Sequence, residues 1–274
     1  MSKVRIIAEI GENHAGDWAL ARRMLDEAVR AGADIVKVQS YRGADVAEKD
    51  PERDWFTQVQ LPDELHFELK AAAERQGVEF VSSPFSLERT RFLCEKVGLK
   101  SIKVASSEML NRPMLEYLNR NAKTVYLSTG LATLEEVREA ERLLDRVPDL
   151  CILHCVTQYP LEDADANLRA VTALKQAFPG RTVGYSDHTI GITAAVAAVA
   201  LGAEVIEKHF TVDRSLPGTD HLLSALPEEF KAMVEQVRRV EAMLGQGTKN
   251  PSAGELKIRE FVRSRFPKTE QALS

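Results

Sequence analysis

The stretches Gly184-Tyr185-Ser186-Asp187-His188-Thr189 and Ile206-Glu207-Lys208-His209-Phe210 decide how this chain is read. Each closes a short apolar, β-branched run (182–186 and 205–211), and one Ala-rich helical stretch separates the two. As neighbouring parallel strands joined by a helical crossover, the two runs bring both imidazoles to one edge of a sheet. Two histidines there can hold a divalent metal with open coordination positions.

Working outward, the same two-part unit recurs. Further β-branched runs stand at 4–10, 35–39, 79–83, 101–106, 124–128 and 150–156, largely apolar on both faces as buried parallel strands are. Helical patterns follow them. Asp17 is placed to cap the first, with Leu20, Met24, Leu25 and Ala28 on one face and Gly32 just past the end. The last starts at Pro227, carries Phe230, Met233, Val234, Val237 and Leu244, and stops at Gly245. Eight strands alternating with eight helices, near the ~250 residues typical of the fold, predict an α/β protein of the (β/α)8 TIM-barrel type. A doubly wound open sheet competes, but no glycine-rich dinucleotide loop follows the first strand. The expected division is a catalytic barrel over 1–247 and a polar, linker-like tail over 248–274.

A barrel performs its chemistry at the C-terminal ends of its strands, and polar residues crowd there. In strand order they are Glu9, Asn13 and His14; Lys37 and Gln39; Ser82 and Ser83; Lys103, Ser106, Ser107 and Glu108; Ser128, Thr129 and Gly130. His154, Thr157, Gln158 and Tyr159 follow, then Ser186, Asp187 and His188, and finally Glu207, Lys208 and His209 with Asp220 and His221 beyond. The opposite ends offer little of the kind.

Bulk properties narrow the partners. With 36 Lys and Arg against 41 Asp and Glu, the net charge is −5 and no basic stripe with interleaved aromatics exists, which argues against nucleic acid. No apolar stretch is long enough for a bilayer. Three cysteines, Cys94, Cys151 and Cys155, make no disulfide framework and fit a reducing, cytoplasmic setting. Cys151 and Cys155 read as buried thiols in an apolar run.

Lys37 and Lys103 are the least expected residues, because desolvating an ammonium is expensive. A salt bridge to a neighbouring strand is one account. An anionic substrate is the other, because Ser106, Ser128 and Ser186 stand at the same rim and several donors with two cations suit a phosphate. A pair of imidazoles without thiolate favours Mn2+ or Mg2+ as Lewis acid over structural zinc. Glu9 and Glu108 remain for proton transfer or for sugar hydroxyls. The residues alone describe a metal-assisted enzyme for a phosphorylated anion and an oxygen-rich second substrate.

The motifs are more specific. Ile7-Ala8-Glu9-Ile10-Gly11-Glu12-Asn13-His14-Ala15-Gly16 resembles the opening of the sialic acid synthase family. Lys37-Val38-Gln39, Ser83-Pro84-Phe85, Lys103-Val104-Ala105-Ser106-Ser107-Glu108, Ser128-Thr129-Gly130, Leu153-His154-Cys155 through Tyr159-Pro160, and the two histidine motifs through Asp220 continue it in order. The resemblance implies condensation of phosphoenolpyruvate with an aldose such as N-acetylmannosamine, giving a 3-deoxy-2-ulosonic acid and phosphate. It implies Mn2+ or Mg2+ on His188 and His209, with Lys37, Lys103, Ser106, Ser128, Thr157, Tyr159 and Ser186 gripping phosphoenolpyruvate. Glu9, Gln39, Glu108 and Asp220 would face the sugar or the transferred protons, and a homodimer is expected.

Three departures stand out. Thr157 replaces a common Asn or Ser, and Ser83 a frequent Thr. Family members also usually continue into an antifreeze-like domain whose arginine reaches a partner's sugar site, whereas this sequence ends at Ser274. Arg259, Arg263 or Arg265 of the tail is the candidate replacement, and a solvated linker is the alternative. Competing functions are a metal-dependent barrel aldolase or isomerase on a sugar phosphate, and a non-catalytic sugar-binding barrel.

Overall fold

Alternation of buried strand and amphipathic helix resolves into a closed barrel. In the computed structural model, which describes residues 3–266, eight parallel strands each pair with their sequence neighbours and the last returns to the first. The strands are β1 (Arg5–Gly11), β2 (Ile35–Ser40), β3 (Glu79–Pro84), β4 (Ser101–Val104), β5 (Thr124–Ser128), β6 (Asp149–Cys155), β7 (Thr182–Asp187) and β8 (Val205–His209). Outside them lie α1 (Trp18–Arg30), α2 (Arg53–Val59), α3 (Asp63–Arg75), α4 (Leu87–Arg91), α5 (Arg112–Asn121), α6 (Leu134–Leu143), α7 (Arg169–Ala177), α8 (Thr193–Ala200) and α9 (Pro227–Met243), with α10 (Ala253–Ser264) after the barrel.

Side chains alternate inward and outward along each strand. The inward set at the N-terminal half is apolar: Ile7, Ile35, Val81, Tyr126, Cys151, Leu153 and Val205 form a buried plug. The outward set meets the helices, including Ala21, Met24, Leu25 and Ala28 of α1 and Phe230, Met233 and Val237 of α9. Each large apolar side chain so buried contributes about 1.5–3 kcal/mol. The Asp17 carboxylate accepts from the amides of Ala19 and Leu20, capping α1 as expected, a contribution of about 1 kcal/mol. Gly32 turns the chain at φ +97°, and a Cβ there would stand 3.2 Å from Val234 of α9, so left-handed backbone and close packing both require glycine.

Some boundaries differ from the sequence reading. β4 ends at Val104 because Ser106–Glu108 curls into a 3-10 turn, and β8 ends at His209. Two helices rather than one bridge β2 and β3, and α2 belongs to an excursion over the mouth of the barrel. The segment expected to be linker-like contains α10, closed by a reciprocal Ser252–Glu255 capping box and exposed along its whole length. Residues 267–274 of that expected tail lie outside the described residues. No described helix is long and apolar enough to cross a membrane.

Candidate active site

Above the apolar plug the inward set becomes charged. Lys37 of β2 lies 2.7 Å from Glu9 of β1 and 3.9 Å from Glu207 of β8, and Lys103 of β4 lies 3.4 Å from the same Glu207. These four side chains are at most 4% exposed. The Lys37 ammonium also donates to Ser83, and Ser186 donates to Glu207 at 2.9 Å. Burial pushes the Glu207 carboxyl up, but Lys103 and Lys37 outweigh it and hold the group below its ordinary value. Burial pulls Lys103 down despite Glu207, with Lys37 repelling it from the same side. Carboxylate pairing therefore explains how both ammonium groups tolerate burial.

Pairing does not explain a surplus of unmet hydrogen-bonding capacity beside them. Ser128 Oγ, Thr157 Oγ1, Glu207 Oε2 and His209 Nδ1 are buried without a hydrogen-bond partner. Each such group costs about 1–3 kcal/mol, so four on one wall mark a surface shaped for a polar ligand. The wall is also built for close approach. At Gly130 a Cβ would stand 2.1 Å from Thr157 Oγ1 and 2.7 Å from Ser106 Oγ, and the Gly130 amide donates to Ser106.

His188 and His209 stand beside these groups, their ring centroids 5.3 Å apart. The Nδ1–H of His188 donates to the Val156 carbonyl at 2.7 Å, which leaves Nε2 as the ring's lone-pair nitrogen when the ring is neutral. Burial and the nearby positive charges hold His209 well below its ordinary value, so it is neutral and able to ligate at pH 7. Asp220 lies 3.3 Å from His209, its carboxyl pushed up to about 7 by burial and by the charges of Glu12 and Glu9. Among the described residues no three His, Cys, Asp or Glu side chains form a metal cage. The donor set instead fits an ion whose shell is completed by water and substrate oxygens. Tyr159 packs its ring 4.1 Å from that of His188, centroid to centroid.

These groups line one cavity of about 730 Å³ at the C-terminal mouth of the barrel, within the usual range for small-molecule sites. The structure brings together every residue nominated from sequence as catalytic, substrate-binding or metal-ligating, including Gln39 beside Glu9 and Glu108 at the rim. Other strand-end residues turn away. Asn13 donates to Phe210 and Ser224, His154 meets the Ala166 carbonyl, and His221 meets Thr211. Arg259 and Arg263 lie on exposed α10, Arg265 lies just past it, and none of the three lines the cavity.

The sequence reading gave no role to three features. Glu207 is the carboxylate shared by both lysines. Cys155 lies 3.9 Å from His188 Nδ1 and lines the cavity, so it is more than a core thiol. The excursion after β2 supplies Asp45, Val46 and Phe56 as an outer wall. Strand parity signals the first two, since Glu207 and Cys155 each sit two residues beyond a plug residue; nothing in the local pattern signals the third.

Known proteins resemble this chain over most of its length. A sequence model of the NeuB family matches residues 24–249. The N,N'-diacetyllegionaminic acid synthase of Campylobacter jejuni is 40% identical over 282 aligned positions, covering 96% of this chain and 84% of that protein. The pseudaminic acid synthase of Campylobacter jejuni is 35% identical, covering 96% of this chain and 81% of that one. The crystal structure of N-acetylneuraminic acid synthetase from Leptospira borgpetersenii, in complex with citrate, superposes with a TM-score of 0.90 at 36% identity, covering 96% of this chain and 93% of that chain. With a family match over most of its length and relatives of this similarity over nearly all of it, the chain belongs to the NeuB family of sialic-acid-type synthases.

Proposed function

We propose that this enzyme condenses phosphoenolpyruvate with an aldose, N-acetylmannosamine or a related sugar, to give a 3-deoxy-2-ulosonic acid and phosphate. The observation that carries the reading is the coincidence, in one cavity, of two buried lysines, unpartnered hydroxyls and a histidine pair. Lys37 and Lys103 face the phosphoenolpyruvate anion, and Ser106, Ser128, Thr157, Tyr159 and Ser186 supply hydroxyls to its oxygens. C3 of phosphoenolpyruvate attacks the aldehyde carbon of the open-chain sugar, forming the new C–C bond and leaving C2 cationic. Water adds at C2, and phosphate departs with cleavage of the C2–O bond. Asp220, its carboxyl pushed up to about 7 by burial, and Glu9, raised by burial, are suited to hand a proton to the aldehyde oxygen and take one from water. Gln39 and Glu108 face the sugar hydroxyls. A Mn2+ or Mg2+ ion on His188 and His209 would supply Lewis-acid polarisation of the aldehyde carbonyl.

In this reading residues 1–247 are the catalytic unit, 248–274 an appendage, and the enzyme is a cytoplasmic homodimer serving carbohydrate biosynthesis. The test is phosphate release from phosphoenolpyruvate with Mn2+, scanned over free and phosphorylated aldoses and N-acylated hexosamines. Release should require both an aldose and the metal, and His188→Ala or His209→Ala should abolish it while the fold persists. Turnover of a sugar phosphate without phosphoenolpyruvate would instead identify an aldolase or isomerase.

A further inference from the structure

The residues immediately before the two histidines form an ion pair of their own. Asp187 and Lys208 are register partners across β7 and β8, and both side chains are completely buried, with Nζ 3.0 Å from Oδ2. Parity sends them outward while Ser186, Glu207, His188 and His209 face the cavity. Asp187 Oδ1 accepts from the Thr189 amide at 2.9 Å, the Thr189 hydroxyl at 2.8 Å and the Tyr185 hydroxyl at 3.2 Å. Lys208 donates to the Thr189 carbonyl as well as to Asp187. The bridge therefore clamps the backbone on both sides of His188 to the residue preceding His209.

Stability alone is a poor reason to keep such a pair. Two charges removed wholly from water lose solvation that their attraction only partly offsets, and apolar replacements of similar volume are often as stable. What an apolar pair does not reproduce is direction. Packed methylenes leave residues 187–189 free to shift along β8, whereas the network ties them at fixed atoms.

We propose that Asp187 and Lys208 are positioning residues, which set the spacing and orientation of His188 and His209 as a metal-binding pair. The inference rests on the reading of those histidines as metal ligands. Outer partners that orient ligating groups typically change metal affinity by about 10–100-fold when removed, and the same range is expected here.

The test is Mn2+ affinity, measured by calorimetry or by the paramagnetic signal of free Mn2+, alongside thermal unfolding. Lys208→Met alone strands a buried carboxylate and invites misfolding, so the informative variant is Asp187→Asn/Lys208→Met. There the Asn carbonyl keeps the Thr189 contacts and the Met fills the lysine stem. Leu118→Ala, a cavity under the buried face of α5 away from the site, serves as the control for destabilisation alone. The expected result is a fall in Mn2+ affinity of at least about tenfold in the double variant and none in Leu118→Ala. Undiminished affinity in a folded double variant, or an equal loss in Leu118→Ala, overturns the positioning role and leaves the metal reading standing. Absence of Mn2+ binding by the wild-type protein overturns the metal reading, and the positioning role falls with it.

Discussion

Glu207→Gln is the sharpest probe of the charge cluster. The substitution keeps the size of the side chain and the oxygen that accepts from Ser186, but leaves Lys103 without its only carboxylate neighbour within ion-pair distance among the described residues. At 3.4 Å and an effective dielectric near 20, the lost attraction is roughly 5 kcal/mol. Breaking a buried pair by removing one partner costs about 3–5 kcal/mol in practice, since the orphaned ammonium can shed its proton. Lys37 retains Glu9 at 2.7 Å and is less affected. For a domain of this size, with about 2–4 °C per kcal/mol, the melting temperature should fall by roughly 10 °C. Lys103→Met/Glu207→Gln removes the orphan and should recover most of that loss, and in the proposed function it should also abolish phosphoenolpyruvate binding. Thermal and urea unfolding of the ligand-free protein near neutral pH measure both. A single variant melting within about 2 °C of wild type, or a double variant no better than the single, refutes the argument that the lysines depend on Glu207.

Three further outcomes follow from the geometry. Burial holds His14 and His66 at about 4 against an ordinary 6.5. As pH falls through 6.5 the unfolded chain takes up protons that the fold refuses, so stability present above 6.5 is lost towards pH 4, by about 3 kcal/mol for each ring. Urea midpoints across that window should drop, and less steeply in His66→Leu; an unchanged slope counts against the assignment. Gly130→Ala places a methyl 2.1 Å from Thr157 Oγ1 and should raise the KM for phosphoenolpyruvate at least about tenfold, as a displaced hydrogen-bonding group does, while the KM for the aldose moves little; equal KM values would remove Thr157 and Ser106 from that subsite. Replacing Arg259, Arg263 and Arg265 together by Ala should leave acceptor affinity unchanged, because none lines the cavity; a large loss of affinity would bring the tail into the site.

Much of the barrel was legible because its strands are buried on both faces, so their β-branched runs stand out from the helices. The site was legible for a related reason. In an apolar strand a charge has to be explained: Lys37 and Lys103 interrupt such strands, and His188 and His209 stand at their ends. The excursion after β2 gave no comparable signal. Its residues are mostly exposed, and exposed positions tolerate many patterns, so α2 and the outer wall had no period to betray them. α10 does carry local marks, the Ser252–Glu255 capping box and Ile258, Phe261 and Val262 at helical spacing, but its apolar residues are exposed and pass unnoticed in a charged tail.

The rim residues teach a finer lesson, since standing at the end of a strand is not enough to join the site. Counting by twos from the apolar plug separates them. From Ile7 the step reaches Glu9; from Ile35, Lys37 and Gln39; from Val81, Ser83; from Tyr126, Ser128; from Leu153, Cys155; from Val205, Glu207 and His209. Asp187 and Lys208 fall on the opposite parity, and there they meet each other rather than a ligand. One alternation thus distributes two tasks over adjacent residues. On β7 and β8 the inward His188 and His209 face the cavity, and in the positioning proposal the outward Asp187 and Lys208 fix where they stand, so a substitution at Lys208 should be felt at His209 without ever touching the cavity.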